Sequence, residues 1–313
     1  MIIHKQHNDP YAMKQVEALI EALPWINKMQ GQTFVVKYGG SAMEDAKLRH
    51  AVLDDLMLLR LVGIRLVIVH GGGKAITELM DRLQLPVSWS EGQRVTDDAA
   101  MEAVQMALIG KVNQDLVSEM NHYGAFATGV SGSDGCTLTA EQADPALGRV
   151  GKVTEVNASL IESLLDNGYV PVVGGVARGE DGLFNVNADI VASQIAAALK
   201  ADKLIYLSDV DGYYQNPDDP DTLVSSMTFD EARELVESGV LHKGMIPKFR
   251  SIVEAAEAGV GCVHLINGTQ QHCLLREVFT DNGVGTMLYD SSEEGVEYDA
   301  EVMAHGGDDE ESR

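Results

Sequence analysis

Short apolar runs, most of them followed by glycines or by a Ser-Asp pair, recur along the chain with room for a helix between them. The first, residues 33–36, reads Thr-Phe-Val-Val and continues into Lys37, Tyr38 and the pair Gly39-Gly40. β-Branched and aromatic residues in runs of this length are typical of buried strands. The pattern predicts five such strands, at residues 33–36, 65–70, 169–173, 203–207 and 261–266.

Between these runs, apolar residues recur at the three- and four-residue spacing of an amphipathic helix. Thr228 and Glu231 form a capping-box pattern, and Gly63 and Gly168 stop the helices before them. Helices are predicted at residues 11–23, 45–62, 74–83, 97–121, 157–168, 187–199, 228–238, 245–258 and 271–280, and weaker extended segments at 124–135, 150–156 and 283–287. This alternation of strand and helix favours a mainly parallel sheet with helices on both faces.

The first predicted helix has no obvious place in that sheet. Val16, Leu19, Ile20 and Leu23 form one apolar face, and Pro24 then interrupts the helix. Such a stripe packs either on its own domain or against another subunit, and the sequence leaves both interpretations open.

The chain of 313 residues carries a formal net charge of −25. The final segment, residues 291–313, holds nine acidic residues and one basic residue, so most of the charge belongs to the body of the protein. An acidic surface repels polyphosphate backbones, which argues against nucleic-acid binding. The final segment is also poor in apolar residues and is predicted to be disordered.

Neither a membrane segment nor a disulfide framework is indicated. The longest apolar runs are far too short to cross a bilayer, and no basic and apolar leader is present, so a cytoplasmic location is expected. Cys136, Cys262 and Cys273 are widely spaced, which fits reduced thiols better than disulfides or a zinc site. The histidines show no metal-binding spacing, and no protein-built metal site is expected.

Three of the predicted strands end in glycine clusters, at residues 39–40, 71–73 and 174–175. None of them forms a Walker A loop, and the first turn is not the dinucleotide-binding fingerprint. Carboxyl ends of parallel strands lie on one edge of a sheet, so the amides of the three clusters can converge on a large anion. A tight turn is the better interpretation of one cluster alone, but anion binding is the better interpretation of three.

Lys37, Lys248 and Asp189 are candidate residues for such a site. Lys248 lies in the first turn of a predicted helix, where the helix dipole disfavours a cation unless an anion is bound. The alternative is a side chain that extends outward to water. Asp189, also in a first turn, either caps its own helix or lies between the two lysines, holding them in place and charged.

Arg94 follows an irregular segment. Its guanidinium group suits a substrate carboxylate held by two parallel hydrogen bonds, although a surface arginine among many acids remains the alternative. No serine or cysteine nucleophile motif occurs in the chain. Two lysines, amide-lined loops and no covalent nucleophile together describe phosphoryl transfer by positioning and charge stabilisation.

Seven motifs resemble those of the amino acid kinase family, and within it the acetylglutamate kinases, over residues 10–290. They are Val36-Lys-Tyr-Gly-Gly-Ser41, Val69-His-Gly-Gly-Gly-Lys74, Gly92-Gln-Arg-Val-Thr96, Gly110-Lys-Val-Asn113, Asn185-Val-Asn-Ala-Asp189, Leu207-Ser-Asp-Val-Asp-Gly212 and Gly244-Met-Ile-Pro-Lys248. The resemblance implies an α/β fold, a three-layer αβα sandwich with a mainly parallel open sheet, plus the N-terminal helix. It also implies an N-terminal helical arm (1–30), an N-lobe for acyl amino acid binding and dimerisation (31–175), a C-lobe for ATP (176–290) and an acidic tail (291–313).

The resemblance also implies a role for each candidate residue. Lys37 and Lys248 would stabilise the transferring phosphoryl group, and Asp189 would orient both lysines. The substrate would be bound by Gly72, Gly73, Arg94 and Asn185, the phosphates by Gly39 and Gly40, and the nucleotide by Ser208, Asp209, Asp211, Gly212, Gly244 and Met245. The implied reaction is ATP-dependent phosphorylation of the γ-carboxylate of N-acetyl-L-glutamate, in arginine biosynthesis, with Mg²⁺ entering on ATP.

The N-terminal helix resembles that of an arginine-inhibited subgroup, in which such helices interlace dimers into a hexamer, a trimer of dimers. Trp25, His272, Glu277 and Gly283 would then form the arginine site. Two other functions stay open at this point. One is a related carboxylate kinase, for example one that acts on acetylaminoadipate, and the other is a catalytically silent amino-acid sensor with the same fold.

Overall fold

The structure, a computed structural model, describes residues 10–90, 92–241, 245–280 and 283–291. Gly244, predicted to bind nucleotide, and residues 292–313, predicted to be disordered, lie outside this range. The strands are β1 (Thr33–Tyr38), β2 (Arg65–His70), β3 (Trp89–Ser90), β4 (Gln93–Arg94), β5 (Ala127–Ser131), β6 (Leu138–Gln142), β7 (Gly151–Val156), β8 (Val170–Gly174), β9 (Val176–Gly179), β10 (Gly182–Asn185), β11 (Lys203–Ser208), β12 (Tyr213–Tyr214), β13 (Leu223–Val224), β14 (Ser226–Thr228), β15 (Cys262–Asn267) and β16 (Thr286–Tyr289). The α-helices are α1 (Pro10–Glu21), α2 (Leu23–Met29), α3 (Ser41–Glu44), α4 (Ala46–Leu61), α5 (Gly73–Arg82), α6 (Asp98–Gln105), α7 (Gln114–Met120), α8 (Ser159–Asp166), α9 (Ala188–Leu199), α10 (Phe229–Ser238), α11 (Ile246–Glu257) and α12 (Cys273–Phe279).

Eight of these strands form one sheet, in the order β14-β16-β15-β11-β1-β2-β8-β5. Neighbouring strands in it are parallel, except β15 and β16, which are antiparallel. The predicted mainly parallel sheet is therefore confirmed. Strand β1 lies near its centre, so the loop that follows β1 has strand ends on both sides.

Alternate side chains of β1 enter two separate cores. Phe34, Val36 and Tyr38 pack with α4, α7 and α12 on one face, whereas Val35 packs with α8, α9, α10 and α11 on the other. A strand that is apolar at successive positions buries both faces and needs helices on both sides. This arrangement confirms the predicted three-layer sandwich. The same alternation places Lys37 on the face that carries α9 and α11.

A smaller sheet, in the order β10-β9-β6-β7, was only partly predicted. The expected hairpin arm at 150–156 is β7, which pairs with β6 in antiparallel orientation. Strands β6, β9 and β10 are short and contain polar residues, and β9 and β10 also contain glycine, so no apolar run marks them. Between α5 and α6, β3 and β4 pair in antiparallel orientation, with Trp89 opposite Arg94.

The helix predicted at 97–121 is not a single α-helix. Between α6 and α7 runs a π-helical stretch, Met106–Asn113, with Gly110 inside it. The apolar spacing of the sequence indicated a helix, but it does not distinguish i→i+5 from i→i+4 hydrogen bonding.

The N-terminal helix ends near Pro24, as the sequence predicted, but a second helix, α2, begins almost immediately. Pro24 lies in the first turn of α2, where a missing N–H group costs nothing. Val16, Leu19 and Ile20 of α1 are 48%, 69% and 58% exposed, so their apolar face has no cover within the described chain. None of the helices that the structure describes is long and apolar enough to cross a membrane.

Candidate active site

The glycine clusters that follow β1, β2 and β8 lie side by side, because these three strands are parallel neighbours. The first two loops approach closely, since a Cβ atom on Gly71 would lie 3.9 Å from Gly39 Cα. Glycines from all three clusters line one cleft of about 320 Å³, together with Lys37 and Asp189. The predicted convergence of the three glycine clusters is thus observed.

Gly40 starts the short helix α3 in a backbone conformation that only glycine adopts readily. Its φ is 71° and its ψ is −155°. A Cβ atom at this position would lie 2.7 Å from Asp209 Oδ1. The same oxygen accepts a hydrogen bond of 2.9 Å from the Ser41 N–H group. The structure therefore brings the predicted phosphate ligand Gly40 into contact with the predicted nucleotide ligand Asp209.

We expect Gly40→Ala to lower the free energy of unfolding by about 2 kcal/mol or more, because it adds a steric clash to backbone strain. Gly239→Ala is the matched control: Gly239 has a φ of 70°, but among the described residues no atom beyond its two chain neighbours lies within 4 Å of its Cβ position. Backbone strain alone costs the control about 1 kcal/mol. Urea denaturation measures both values. Equal losses in the two variants would show that the approach of Asp209 does not constrain Gly40.

Asp189 lies between the two candidate lysines. Lys37 Nζ is 3.0 Å from Asp189 Oδ1, and Lys248 Nζ is 3.6 Å from Asp189 Oδ2. The three side chains are 13–21% exposed. Asp189 and Lys248 belong to the first turns of α9 and α11. Helix α9 is capped by Asn187, whose side chain accepts from the Asp189 N–H group at 2.7 Å, so the Asp189 carboxylate contacts the lysines instead.

The electrostatics of this triad keep Asp189 ionised. Burial opposes the charged carboxylate, but the positive charges of Lys37 and Lys248 outweigh burial and hold the pKa of Asp189 below its usual value. One negative charge is thus shared by two positive charges at the edge of the cleft. The excess positive charge beside glycine amides suits an anionic ligand.

Arg94 reaches the same cleft from β4 and is only 6% exposed. Its Nη2 donates to Gly73 O at 3.0 Å and to Thr77 Oγ1 at 2.7 Å, and its guanidinium carbon lies 4.6 Å from the centre of the Trp89 ring. Burial lowers the pKa of Arg94, although the group stays charged. No carboxylate pairs with it among the residues that the structure describes, which leaves its charge to a ligand.

The four predicted substrate ligands are brought together. Asn185 ends β10 and lines the cleft, with its Nδ2 3.4 Å from Thr96 Oγ1. Gly72 and Gly73 lie at the start of α5, where backbone N–H groups have no partner inside the helix. The cleft therefore carries glycine amides, the Lys37 ammonium, an arginine and an amide side chain, held by separate parts of the chain.

The predicted nucleotide ligands follow β11, on the opposite side of β1 from β2. Ser208 is the last residue of β11, Asp209 contacts the Gly40 loop, and Met245 immediately precedes α11. None of these three residues lines the cleft that carries Arg94 and Asn185.

Asp211 and Gly212 make mainly internal contacts. The Asp211 carboxylate accepts hydrogen bonds from Asn267, Gln270 and Tyr214 at 2.8, 2.6 and 2.8 Å. These bonds hold the pKa of Asp211 below its usual value. A Cβ atom on Gly212 would lie 2.4 Å from Thr286 Oγ1. Both residues thus fix the course of the loop after β11.

The residues predicted to bind arginine lie around α12. Trp25 of α2 packs against the same core as Leu275 and Phe279 of α12. His272 immediately precedes α12 with a φ of 55°, and its Nδ1 lies 2.7 Å from Asp55 Oδ1. The His272 side chain is 52% exposed and so is accessible to a ligand.

Glu277 differs from these residues because its carboxylate faces the interior. It is 1% exposed, and its Oε1 lies 2.7 Å from His264 Nδ1. Its Oε2 accepts from the N–H groups of Val284 at 2.6 Å and Gly285 at 3.2 Å. Gly283 is the residue before this pair. Glu277 therefore holds the chain that leads from α12 to β16.

Sequence interpretation gave no role to two buried polar residues beside the cleft, His70 and Asn113. Both belong to quoted motifs, and both are 1% exposed. His70 ends an otherwise apolar strand, and Asn113 falls among apolar residues of a predicted helix. A polar residue at a position that the pattern assigns to the core is the signal that identifies them.

The amino acid kinase family profile matches residues 32–267 of the chain. The chain is 47% identical to an acetylglutamate kinase of Caldanaerobacter subterraneus subsp. tengcongensis over 273 residues, which cover 86% of this chain and 91% of that protein. It is 46% identical to an acetylglutamate kinase of Synechococcus sp. over 286 residues, which cover 90% of this chain and 97% of that protein.

Solved structures show the same fold. N-acetylglutamate synthase from Neisseria gonorrhoeae, complexed with coenzyme A and N-acetyl-glutamate, superposes with a TM-score of 0.75 at 28% identity. That match covers 89% of this chain but 64% of the synthase chain. Carbamate kinase from Giardia lamblia bound to AMP-PNP superposes with a TM-score of 0.66 at 18% identity, over 83% of this chain and 99% of the kinase.

Proposed function

We propose that this chain, which belongs to the amino acid kinase family, catalyses the ATP-dependent phosphorylation of the γ-carboxylate of N-acetyl-L-glutamate. The product is N-acetyl-L-glutamyl 5-phosphate, an intermediate of arginine biosynthesis. The acetylglutamate kinases to which it is 44–47% identical over most of its length support this assignment.

One observation within the chain carries the proposal: Asp189 holds Lys37 and Lys248 at 3.0 and 3.6 Å beside converging glycine amides. A carboxylate acceptor is already ionised at neutral pH, so the reaction needs no general base. A carboxylate oxygen attacks the γ-phosphorus of ATP, the bond to the β–γ bridging oxygen breaks, and ADP leaves. The barrier comes mainly from charge on the phosphoryl oxygens, which two ammonium groups would stabilise.

Asp189 would act on the lysines rather than on the substrate. Its carboxylate fixes both ammonium groups and partly neutralises their mutual repulsion, so they remain charged and close together. Because both of its oxygens face lysines, Asp189 is not suited to bind a metal ion. Mg²⁺ would be bound through the phosphate oxygens of ATP and would neutralise part of their charge.

The acyl amino acid would be recognised by Arg94 and Asn185. The buried guanidinium of Arg94 would pair with the α-carboxylate of the substrate, and Asn185 with its acetylamino group. Gly72 and Gly73 would donate N–H groups to the reacting carboxylate, and Gly39 and Gly40 to the phosphates. ATP would lie on the β11 side, between Ser208 and Met245. This division corresponds to an N-lobe of residues 31–175 and a C-lobe of residues 176–290.

An ADP-release assay tests the proposed reaction. It compares N-acetylglutamate, N-acetylaspartate, glutamate and N-acetylaminoadipate as acceptors, and it includes a reaction without acceptor. We expect the highest kcat/KM with N-acetylglutamate. Preference for N-acetylaminoadipate would favour a related carboxylate kinase, and no ADP release with any acceptor would favour a silent sensor.

We further propose that arginine inhibits the enzyme and that α1 joins dimers into a hexamer. The exposed apolar face of α1 supports an interface, since 58–69% of Leu19 and Ile20 is accessible. Trp25 and the exposed His272 side chain, with Gly283, would bind arginine beside α12. Glu277 would contribute indirectly to arginine binding, because its carboxylate accepts hydrogen bonds from Val284 and Gly285, next to Gly283.

The α1 interface yields a specific expectation. A double substitution, Leu19→Glu with Ile20→Glu, should place two buried charges in the interface, dissociate hexamers into dimers and weaken arginine inhibition. Leu61→Glu is the matched control, because Leu61 is equally exposed at 60% but lies on α4. Light scattering and inhibition curves measure both effects. An unchanged mass in the double variant would contradict the role of α1.

A further inference from the structure

Beneath the glycine loop, His70 and Asn113 form a chain of hydrogen bonds to which the proposed reaction assigns no purpose. Asn113 Nδ2 lies 2.7 Å from Val172 O and 3.0 Å from His70 Nε2. His70 Nδ1 in turn lies 2.9 Å from Gly71 O. The chain thus connects the core strand β8 to the first residue of the loop.

The acceptor at one end fixes the direction of every bond in the chain. Val172 O can only accept, so the Asn113 atom beside it is the amide nitrogen. The second N–H of that amide donates to His70 Nε2, which therefore carries no proton. The proton of the neutral imidazole lies on Nδ1, which donates to Gly71 O. Burial lowers the pKa of His70 to about 4, so the ring stays neutral at physiological pH.

The bond to Gly71 O sets the orientation of one peptide plane in the loop. In a trans peptide the C=O of residue i and the N–H of residue i+1 point in opposite directions. When the Gly71 carbonyl is turned toward His70, the Gly72 N–H is turned away from it. Gly72 lines the cleft, and its N–H group has no hydrogen-bond partner among the described residues, so this group is available to a ligand there.

The π-helical stretch Met106–Asn113 supplies the other contacts to the same backbone. A Cβ atom on Gly72 would lie 2.6 Å from Leu108 Cδ2 and 3.3 Å from Val112 Cγ2. A Cβ atom on Gly174 would lie 2.5 Å from Ile109 Cδ1 and 3.2 Å from His70 Nε2. Because i→i+5 bonds accommodate an additional residue per turn, the stretch changes the direction in which Asn113 leaves the helix.

We propose that His70 and Asn113 are positioning residues, which hold the Gly71–Gly72 peptide so that the Gly72 N–H faces the reacting carboxylate and phosphoryl group. Neither residue touches the substrate. The inference rests on the proposed function, because it assigns Gly72 as a ligand of that reaction. Its consequence is that the alignment of one amide in the cleft depends on an asparagine 41 positions further along the chain.

Two near-isosteric substitutions test the chain of bonds. His70→Phe removes the donor to Gly71 O but leaves the Asn113–Val172 bond in place, and Asn113→Leu removes the donor to His70. We expect each to lower kcat by up to about 10²-fold through misplacement of Gly72, with a much smaller change in KM for ATP and N-acetylglutamate. The double variant should lose no more than the more affected single variant, because both residues act on the same peptide.

Asn121→Leu is the matched control. Asn121 lies just beyond α7, the helix that follows Asn113, and its side chain bonds the backbone of Phe126 and Ala127, away from the cleft. Thermal melts verify folding, and His70→Phe keeps the test valid if Asn113→Leu does not fold. We expect Asn121→Leu to retain wild-type kcat.

Three results would overturn the inference. The first is unchanged kcat in folded His70→Phe, and the second is multiplication of the two single effects in the double variant. In either case activity of the unsubstituted protein would leave the proposed function intact. The third is absence of ADP release by the unsubstituted protein, which would overturn the proposed function and this inference with it.

Discussion

Replacing Lys37 or Lys248 by alanine is expected to lower kcat by about 10²- to 10³-fold. Removal of one preorganised donor that faces the charge of a transition state typically costs this much. Binding of ATP and the acceptor should weaken far less if the lysines match the geometry and charge distribution of the transition state better than those of bound ATP, as the mechanism proposes. Steady-state kinetics of each variant separate the two effects through kcat and kcat/KM.

Lys152→Ala is the control for the lysine variants, since Lys152 is exposed on β7, which does not belong to the central sheet. It should retain wild-type kinetics. Melting temperatures distinguish lost chemistry from lost folding, because Lys37→Ala removes one of the two lysines that pair with Asp189 among the described residues. Near-normal turnover in either Lys37→Ala or Lys248→Ala would contradict the proposed mechanism.

The largest effect on stability is expected from Glu277→Ala, which should lower the free energy of unfolding by about 3–5 kcal/mol. His264 and Glu277 are each 1% exposed, and His264 also contacts Cys262 Sγ at 3.3 Å and Lys203 Nζ at 3.2 Å. Truncation leaves the His264 charge buried without its carboxylate and two N–H groups without an acceptor. Urea denaturation at pH 7 measures the loss.

Glu237→Ala, on the exposed surface of α10, should change the free energy of unfolding by no more than about 0.5 kcal/mol. If Glu277→Ala lowers the free energy of unfolding by less than about 1 kcal/mol, the buried pair of His264 and Glu277 contributes little to stability.

The same pair should make stability depend on pH. Burial and the nearby charge of Lys203 oppose the charged His264 ring, but the interactions with Cys262 and the bond to Glu277 outweigh them and raise the pKa of His264 from 6.5 to about 9. A raised pKa stabilises the fold below pH 6.5, and the gain disappears as pH rises through 9. The pKa of Glu277 is lowered, despite burial, mainly by its bond to His264, so its own contribution is lost only as pH falls below 4.5.

We therefore expect the contribution of His264 to the free energy of unfolding to decline as pH rises from 6.5 through 9. Despite burial, the charges of His264 and Lys203 lower the pKa of Cys262, which acts in the opposite direction over this range. His264→Phe should remove this decline, because the variant has no group to deprotonate there. Denaturation curves at several pH values measure it. If the free energy of unfolding of His264→Phe declines equally with pH, the decline must come from other titratable groups.

Much of the fold followed from local patterns. Strands such as β1 and β11 are marked by continuous apolar runs, and the capping box of Thr228 and Glu231 fixed the start of α10 within one residue. Strands β6, β9 and β10 were missed because their pairing depends on partners distant in sequence. The π-helical stretch was missed because its contacts with the glycine loop, rather than its own composition, distinguish it from an α-helix.

The candidate site was predictable to a similar extent. Glycine clusters after apolar strands, and a lysine in a first turn, indicated an anion, because a parallel sheet gathers strand ends on one edge. The sequence did not decide whether Asp189 caps its own helix or pairs with the two lysines, since a carboxylate in a first turn can do either. The burial of Glu277 against His264 was not visible at all, because it requires knowledge of which face of α12 meets β15.

The sequence by itself determined the family, the layered α/β architecture and the residues that gather at one sheet edge, because these depend on periodicity and on motifs in a fixed order. Only the tertiary structure decided which groups are paired and which are left to a ligand. Asn187 caps α9 so that Asp189 meets the lysines, Arg94 has no carboxylate partner among the described residues, and Asn113 reaches His70. Hydrogen-bond partners are chosen by packing across the fold, and packing is not a local property of sequence.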